Sequence, residues 1–269
     1  MVIFPNCKIN LGLKILRKRA DGYHDLETIF YPLPIKDVLE IHRDPELNFT
    51  SYGLPIPGDP TENLCLKAWR LLKKDFPALP FVHIHLYKHI PIGAGLGGGS
   101  SNGAFMLLLL NQQFHLELNT GQLLNYAAQL GSDCPFFILN TPSLGGGRGE
   151  KLTPISLDLS NYSFALVDPG LHISTAQAFA LCTPGDQGPA TADIIQQPVN
   201  TWRDRLINDF EAPVFRLHPL LGEIKTELYA QGALYASLTG SGSGVFGIFE
   251  KGKIPDFHFE KNGVSCWKL

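Results

Sequence analysis

The residues of this chain best suited to chemistry are closely spaced glycines in the segment 91–102, which reads PIGAGLGGGSSN. Five glycines in seven residues let the backbone approach a ligand and adopt left-handed angles without a Cβ clash. Amide N–H groups in such a loop can converge on an anion, and a helix beginning near Ser100 adds the positive end of its dipole. Ser100 and Ser101 add hydroxyl donors. The segment therefore predicts a phosphate-binding loop built largely from backbone.

Other interpretations of this loop fit less well. A flexible linker is disfavoured because a predicted strand precedes the loop and a predicted buried helix follows it. Residues 93–98 satisfy the dinucleotide-binding pattern GxGxxG, with Glu117 as the ribose-binding candidate. However, the preceding strand alternates, whereas a central parallel strand is continuously apolar. Residues 247–253 have Walker A spacing, yet Ile254 stands where serine or threonine must ligate magnesium. An oxidoreductase that uses a nicotinamide dinucleotide is kept only as a rival function.

The charge balance narrows the class of partner. The 269 residues include 22 lysines and arginines against 25 aspartates and glutamates, which gives a net charge of −3. A dedicated nucleic-acid or anionic-membrane binder normally carries net positive charge, so neither partner is expected. An anionic small molecule remains compatible, because backbone dipoles can hold a phosphate without lysine or arginine.

The distribution of apolar residues and cysteines indicates a cytoplasmic protein. The longest apolar run, 104–110, is far shorter than the roughly 20 residues that span a bilayer. Residues 1–8 lack the basic start and apolar stretch of a secretory signal. The cysteines are odd in number, scattered and without a CxxC pair, which predicts free thiols in a reducing compartment. They are Cys7, Cys65, Cys134, Cys182 and Cys266.

Periodic patterns predict strands and helices in both halves of the chain. Segment 81–90 alternates, as expected of a half-buried antiparallel strand, and helix 100–113 is apolar on nearly every side, which predicts burial. A helix at 120–130 would have Thr120 as its N-cap and Gly131 as its stop. The other predictions are strands at 2–16, within 24–50, and at 162–167, 234–238, 245–249 and 264–267, helices at 64–76, from 174, at 202–215 and at 220–231, and an exposed loop at 183–200.

A stretch rich in glycine and proline at 141–154 predicts a boundary between two domains. The first half has several strands and then helices on one side of a predominantly antiparallel sheet. The second half has helices on a small antiparallel sheet. Both patterns are of the α+β class, and the predicted domains are 1–152 and 153–269.

The glycine loop resembles the ATP-binding signature of the GHMP kinases, which include galactokinase, homoserine kinase and mevalonate kinase. Other segments resemble motifs of this family in the same order: 8–11 with 19–24, then 131–135 and 238–244, and more weakly 208–211. Together these segments span nearly the whole chain. The glycine loop alone specifies only the superfamily. The sequence Ala-Asp-Gly-Tyr-His at 20–24 is much more specific, and it resembles the branch that acts on a cytidine-diphosphate-linked methylerythritol.

This resemblance implies both a fold and an activity. The fold is the two-domain GHMP kinase fold, with an N-terminal ribosomal-protein-like α+β domain and a C-terminal ferredoxin-like α+β domain. The activity is transfer of the ATP γ-phosphoryl group to the 2-hydroxyl of the methylerythritol moiety, in the non-mevalonate route to isoprenoid precursors. The partners would be ATP, with Mg²⁺, and a small cytidine diphosphate substrate, and the protein would be a monomer or a weak homodimer. A homoserine or mevalonate type of GHMP kinase is the nearest rival, and a catalytically silent RNA-binding protein is a more distant one.

The resemblance assigns catalytic roles to Lys8 and Asp133. Asp133 would accept the hydroxyl proton, and Lys8 would orient Asp133 and favour the nucleophile by its positive charge. Taken without the resemblance, Asp133 is more simply a helix-capping carboxylate beside Pro135, and Lys8 a solvated strand residue. Cys134 replaces a more usual aliphatic residue, which is compatible because cysteine behaves as a small hydrophobe.

The resemblance also assigns binding roles. Tyr23 and Phe179 would sandwich the cytosine and His24 would bond its edge, while Asn10 and Thr175 would contact the substrate. The alternative for Phe179 is a core helix residue. The ATP-binding candidates are Pro91, Ile92, Gly93, Ala94, Gly95, Leu96, Gly97, Gly98, Gly99, Ser100 and Ser101, with Asn63 and Lys88 near the adenine.

Two features carry no assignment. The loop at 238–244 is richer in serine and glycine than in many relatives, so its contact with the phosphates or the catalytic segment is left open. His83, His85 and His89 lie on one predicted strand, but only two share a tight spacing and neither a carboxylate nor a cysteine lies nearby. A metal site is therefore not predicted.

Overall fold

The computed structural model describes residues 1–185, 188–256 and 264–269. Among these residues the strands are β1 (Val2–Ile3), β2 (Asn6–Lys18), β3 (His24–Lys36), β4 (Val38–Arg43), β5 (Asn48–Gly53), β6 (Val82–Lys88), β7 (Ser143–Gly146), β8 (Lys151–Pro154), β9 (Tyr162–Asp168), β10 (Tyr235–Leu238), β11 (Val245–Glu250) and β12 (Ser265–Lys268). The α-helices are α1 (Leu64–Asp75), α2 (Gly98–Phe114), α3 (Thr120–Leu130), α4 (Cys134–Leu139), α5 (Thr175–Ala180), α6 (Thr191–Ile194), α7 (Glu211–Leu217) and α8 (Pro219–Ala230). Short 3-10 helices lie at Pro60–Glu62 and Val199–Thr201.

Two compact units make up the chain, and each combines segments that are distant in sequence. The first unit consists of residues 1–8, 32–92 and 97–141. The second unit consists of residues 9–31, 93–96 and 142–269. Strands β2 and β3 contribute residues to both units. The boundary between residues 152 and 153 remains a prediction.

The first unit contains a four-stranded sheet in the order β1-β4-β6-β5. It is antiparallel except for β5, which runs parallel to β6. Helix α2 is buried over most of its length, from Gly98 to Leu110, and it contacts α1, α3 and α4. The all-round apolar pattern of this segment therefore predicted the burial correctly, because each face of the helix meets another helix or the sheet.

The second unit contains the antiparallel sheet β10-β11-β9-β12, against which α8 packs. Residues of this sheet and of α7 and α8 form one core that includes Phe210, Leu221 and Phe249. A further sheet has the order β2-β3-β7-β8. Sheets with helices packed on them are the α+β architecture that the sequence predicted.

The stretch 141–154 contains two strands that the sequence did not predict. Strands β7 and β8 pair there, and Gly145 opposes Thr28 of β3. A Cβ on Gly145 would lie 2.5 Å from the Phe30 ring, so glycine is needed for strand packing. The N-cap of α3 is Asn119 rather than Thr120, because Asn119 and Gln122 form a capping box.

The other two corrections concern the second unit. The helix predicted at 202–215 begins only at Glu211, since the Asn208 side chain bonds the Phe210 amide and holds the chain in a turn. The exposed loop predicted at 183–200 contains α6 and part of a 3-10 helix, and residues 186 and 187 lie outside the described residues. Nowhere in the described ranges is a helix both apolar and long enough to cross a bilayer.

Candidate active site

Lys8 and Asp133 form an ion pair in the first unit. Lys8 Nζ lies 3.4 Å from Asp133 Oδ2. The Lys8 residue is only 3% exposed, whereas the Asp133 side chain is 34% exposed. Asp133 occupies the N-cap of α4, yet within the described residues its side chain makes no capping hydrogen bond. The carboxylate is therefore fixed by a buried cation on one side and open to solvent on the other.

The N-terminus of α2 adjoins this pair. Gly97 is the N-cap of α2 and has a left-handed conformation, with φ +69°. A Cβ at Gly97 would lie 2.9 Å from Phe137 Cζ and 3.1 Å from Lys8 Cε. Only glycine fits this position, both in conformation and in space. The first unit thus places an anion-attracting helix terminus beside the Lys8–Asp133 pair.

Two further candidates of the first unit, Lys88 and Asn63, form hydrogen bonds within the protein. Lys88 is 3% exposed, and its Nζ donates to Asp37 and, at 3.0 Å, to Asn102 Oδ1. Asn63 caps α1 through a bond from the Cys65 amide to its Oδ1. Ser101 is fully buried, and its hydroxyl has no hydrogen-bond partner in the described parts of the chain. A place for Asn63 and Lys88 near the adenine remains a prediction.

In the second unit, the start of the glycine loop packs against the late loop (residues 238–244), which follows β10. Gly95 has φ +75°, and a Cβ there would overlap the Thr239 carbonyl oxygen. The Gly244 amide donates to Ala94 O at 3.1 Å, and Thr239 Oγ1 donates to Gly95 O at 3.3 Å. A Cβ at Gly242 would overlap the Gly95 amide nitrogen. The late loop therefore supports the first turn of the glycine loop.

The same late loop adjoins two of the substrate candidates. The Asn10 amide donates to Thr239 Oγ1 at 3.1 Å, and Asn10 Nδ2 donates to Thr28 Oγ1 at 3.0 Å. Ser241 Oγ donates to Thr175 Oγ1 at 3.0 Å. Asn10 and Thr175 thus lie around one loop of the second unit.

The aromatic candidates lie near the turn between β2 and β3. The His24 and Phe179 rings stack with centroids 4.8 Å apart and planes 10° apart. Tyr23 is 54% exposed, and the Arg148 guanidinium lies 4.7 Å from its ring centroid. The ring on the face of Phe179 is therefore His24. The predicted cytosine position between Tyr23 and Phe179 remains a prediction.

Comparison with known proteins gives the family. Residues 63–141 match the model of the GHMP kinases N terminal domain, and residues 192–257 match GHMP kinases C terminal. The chain is 51% identical to the 4-diphosphocytidyl-2-C-methyl-D-erythritol kinase of Bacteroides thetaiotaomicron, over 100% of this chain and 99% of that protein. This chain belongs to the GHMP kinases. The kinase of the same name from Cytophaga hutchinsonii is 47% identical, over 99% of this chain and 98% of its own.

Solved structures agree with this GHMP kinase assignment. A crystal structure of 4-(cytidine 5'-diphospho)-2C-methyl-D-erythritol kinase is similar with a TM-score of 0.79 and 34% identity, covering 92% of this chain and 90% of that one. The mevalonate kinase of Methanococcus jannaschii has a TM-score of 0.70 at 15% identity, covering 100% and 97%, which shows the fold alone. The two-domain α+β fold and an ATP-dependent small-molecule kinase are thus confirmed, and an oxidoreductase is set aside.

Two buried side chains of this GHMP kinase hold the late loop, although no role was predicted for either of them. Asn208 Nδ2 donates to Leu238 O at 2.8 Å and to Gly240 O at 2.9 Å. Glu211 Oε1 accepts from the Leu238 amide at 2.9 Å, and its Oε2 accepts from Lys225 at 2.6 Å. The weak resemblance of residues 208–211, Asn-Asp-Phe-Glu, to a family motif was the sequence signal for these two residues. In the structure they support a neighbouring loop.

Arg148 is a further residue that sequence reasoning missed. It lies in the turn between β7 and β8, two strands that the sequence did not predict. Without that hairpin, nothing in the sequence brings position 148 to Tyr23. A guanidinium above an aromatic face is an attractive contact, which orients the ring.

Burial makes Cys134 of this kinase unreactive although it adjoins Asp133. Burial raises the pKa of the Cys134 thiol to about 12, against a smaller lowering by the Ser100 hydroxyl. Because the thiolate is the reactive form, at pH 8 we expect iodoacetamide to alkylate Cys134 more slowly than Cys266, which is exposed although partial burial of its thiol also raises its pKa. Peptide mass spectrometry measures both rates, and the unfolded protein, in which both thiols are accessible, is the control. Equal rates in the folded protein would contradict the burial.

Proposed function

We propose that this kinase transfers the γ-phosphoryl group of ATP to the 2-hydroxyl of 4-diphosphocytidyl-2-C-methyl-D-erythritol, a step of the non-mevalonate isoprenoid pathway. The observation that carries the proposal is the Lys8–Asp133 pair beside the N-terminus of α2. Relatives that bear this substrate in their name are about half identical to the chain over nearly its whole length. The pair supplies the chemistry, and the relatives suggest the acceptor.

The phosphates of ATP would be bound by main-chain amides of residues 93–101. The left-handed Gly97 and the N-terminus of α2 supply amide N–H groups and the positive end of a helix dipole. Ser101 offers a buried hydroxyl whose bonding capacity is unused within the described residues. Such a site binds an anion without a dedicated lysine in the loop, in keeping with the net charge of −3.

Asp133 would accept the proton of the attacking hydroxyl. The 2-hydroxyl oxygen forms a bond to the γ-phosphorus, the bond from that phosphorus to the β–γ bridging oxygen breaks, and ADP leaves. The transition state of phosphoryl transfer is loose and spreads charge over the phosphoryl oxygens, so position and electrostatics dominate. The Lys8 ammonium holds Asp133 in place and stabilises negative charge that develops beside it.

The cytidine end would be bound by the turn between β2 and β3 and by α5. Tyr23 and Phe179 supply aromatic faces, and His24 supplies a hydrogen-bonding edge. In the protein alone His24 stacks on Phe179, so the substrate base would displace that contact. Asn10 and Thr175 would contact the alcohol portion.

Mg²⁺ would arrive with ATP. The described stretches of the chain contain no group of three or more His, Cys, Asp or Glu side chains that could hold a metal. This suits Mg²⁺ bound chiefly by phosphate oxygens and water, to which a protein usually adds one or two carboxylates. We further propose a cytoplasmic monomer or weak homodimer, with domains at 1–152 and 153–269.

A panel of acceptors tests the proposed function. The purified protein is incubated with Mg²⁺-ATP and each of 4-diphosphocytidyl-2-C-methyl-D-erythritol, homoserine, mevalonate and galactose, and ADP release and the phosphorylated product are measured. We expect turnover with the cytidine substrate alone. Faster turnover of homoserine or mevalonate would assign a different GHMP kinase activity.

Replacement of Tyr23 tests the cytidine site. We expect Tyr23→Ala to raise KM for the cytidine substrate about 5- to 150-fold, since stacking on one base contributes about 1–3 kcal/mol. KM for ATP should change less than about twofold. Steady-state kinetics with each substrate varied in turn gives both constants. Tyr23→Phe keeps the ring and is the control, and an equal loss for both substrates would show that the slot is misplaced.

A further inference from the structure

One buried carboxylate, that of Asp37, bonds to both sides of the glycine loop. Asp37 lies between β3 and β4 and is fully buried. Its Oδ1 accepts from the amides of His89 and Ile90, at 2.7 and 2.9 Å. Its Oδ2 accepts from Asn102 Nδ2 at 2.8 Å and from Lys88 Nζ. A buried carboxylate with four donors is fully satisfied, and such a network holds its members in one arrangement.

These donors come from opposite ends of one segment. His89 and Ile90 are the residues at which the chain leaves β6, before the loop begins. Asn102 lies in the second turn of α2, after the loop has ended. All of these residues belong to the first unit. Asp37 therefore fixes the distance between the two ends of the phosphate-binding segment.

The charge of the network also bears on an anionic ligand. Lys88 Nζ lies 3.2 Å from the position of a Cβ on Gly98, the first residue of α2. Close to the N-terminus of α2, the Lys88 ammonium neutralises the negative charge of the Asp37 carboxylate. The positive end of the α2 dipole is thereby left to act on a phosphate without opposition from the charge of Asp37.

We infer that Asp37 and Asn102 are positioning residues for ATP: they hold the ends of the glycine loop so that its amides are arranged before the nucleotide binds. Ordering the backbone of a flexible loop costs conformational entropy. A loop fixed in advance does not incur that cost on binding, which raises affinity without any new contact to the ligand. This inference rests on the proposed function, because it requires that the loop binds ATP.

Asn102→Ala tests the inference, with Asn111→Ala as a matched control. Asn111 lies near the other end of α2, donates to Leu118 O at 3.1 Å and accepts from the Leu118 amide at 3.0 Å. Each variant thus removes two hydrogen bonds made by a side chain of α2. Only Asn102→Ala removes the contact with Asp37 that holds the end of the glycine loop. We expect Asn102→Ala to raise Kd for the ATP analogue AMP-PNP about tenfold, and Asn111→Ala to change it less than twofold. Kd for the cytidine substrate should change less than twofold in both.

Calorimetric titration gives these constants, and hydrogen exchange of the loop amides in the nucleotide-free protein gives an independent measure. Exchange at 93–101 should be faster in Asn102→Ala than in Asn111→Ala. If Asn102→Ala does not fold, Asp37→Asn, which keeps an oxygen for the two backbone amides, should change both quantities in the same direction. Unchanged AMP-PNP affinity and exchange in these loop variants, or equal losses in Asn111→Ala, would overturn the inference alone. A wild-type protein that does not bind AMP-PNP would overturn the proposed function as well.

Discussion

Asp133→Asn is expected to lower kcat about 10²- to 10⁴-fold, which is the usual contribution of a general base, while Kd for ATP stays within about threefold. The amide has nearly the shape of the carboxylate but cannot accept the hydroxyl proton or attract the Lys8 ammonium. Because Asp133 makes no capping bond within the described residues, this change does not remove a helix cap. Single-turnover kinetics measures the chemical step, and calorimetric titration measures nucleotide binding.

The matched control for this change is Asp59→Asn. Asp59 is also an N-cap residue of the first unit, but its carboxylate accepts from the Thr61 amide at 2.8 Å and takes no part in the proposed chemistry. Its kcat should equal that of the wild type. Lys8→Met should also lower kcat, as Asp133→Asn does, because the Lys8 ammonium holds the Asp133 carboxylate in place. More than a tenth of the wild-type kcat in Asp133→Asn would refute the role of Asp133 as base.

Gly95→Ala is expected to weaken ATP binding about 10- to 100-fold and to lower the melting temperature. The left-handed φ of +75° costs a residue with a Cβ about 1–2 kcal/mol. The added methyl group would also overlap the Thr239 carbonyl oxygen, so the loop or the late loop must move. Calorimetric titration with AMP-PNP and thermal unfolding measure the two effects.

Gly99→Ala is the control for this prediction, since it makes the same chemical change four residues further along. Gly99 lies in the first turn of α2, and no described atom lies within 4 Å of a Cβ placed there. Alanine also favours a helix over glycine, so the melting temperature should be equal or higher. Because Gly99 belongs to the proposed phosphate site, this variant is a control for stability only. An equal loss of stability in the two variants would mean that the packing against Thr239 does not support the loop.

The sequence sufficed for those parts of the site that depend on local patterns. The glycine spacing, the apolar pattern of α2 and the resemblance at 20–24 predicted the loop, the buried helix and the family. The family motifs at 8–11 and 131–135 identified Lys8 and Asp133 as candidates. The structure places these two residues 3.4 Å apart, although 125 positions separate them in the chain. Here the family motifs supplied the long-range information that periodicity lacks.

The support of the site could not be predicted, because it consists of contacts between distant segments. Asp37 meets Asn102 across 65 positions, and Asn208 meets Leu238 across 30. Neither pair has a local signature, since a buried carboxylate or amide looks in the sequence like a surface one. The hairpin of β7 and β8 was missed for a related reason. Its glycines are typical of a loop in the sequence, and their role in strand packing depends on the contact between Gly145 and the distant Phe30.

The most direct test of the account is a crystal structure with AMP-PNP and 4-diphosphocytidyl-2-C-methyl-D-erythritol bound together. Triphosphate oxygens are expected on the amides of residues 93–101, and a carboxylate oxygen of Asp133 is expected within about 3.2 Å of the 2-hydroxyl oxygen, the reach of a general base. A triphosphate bound elsewhere, or a 2-hydroxyl far from Asp133 and close to another base, would contradict it.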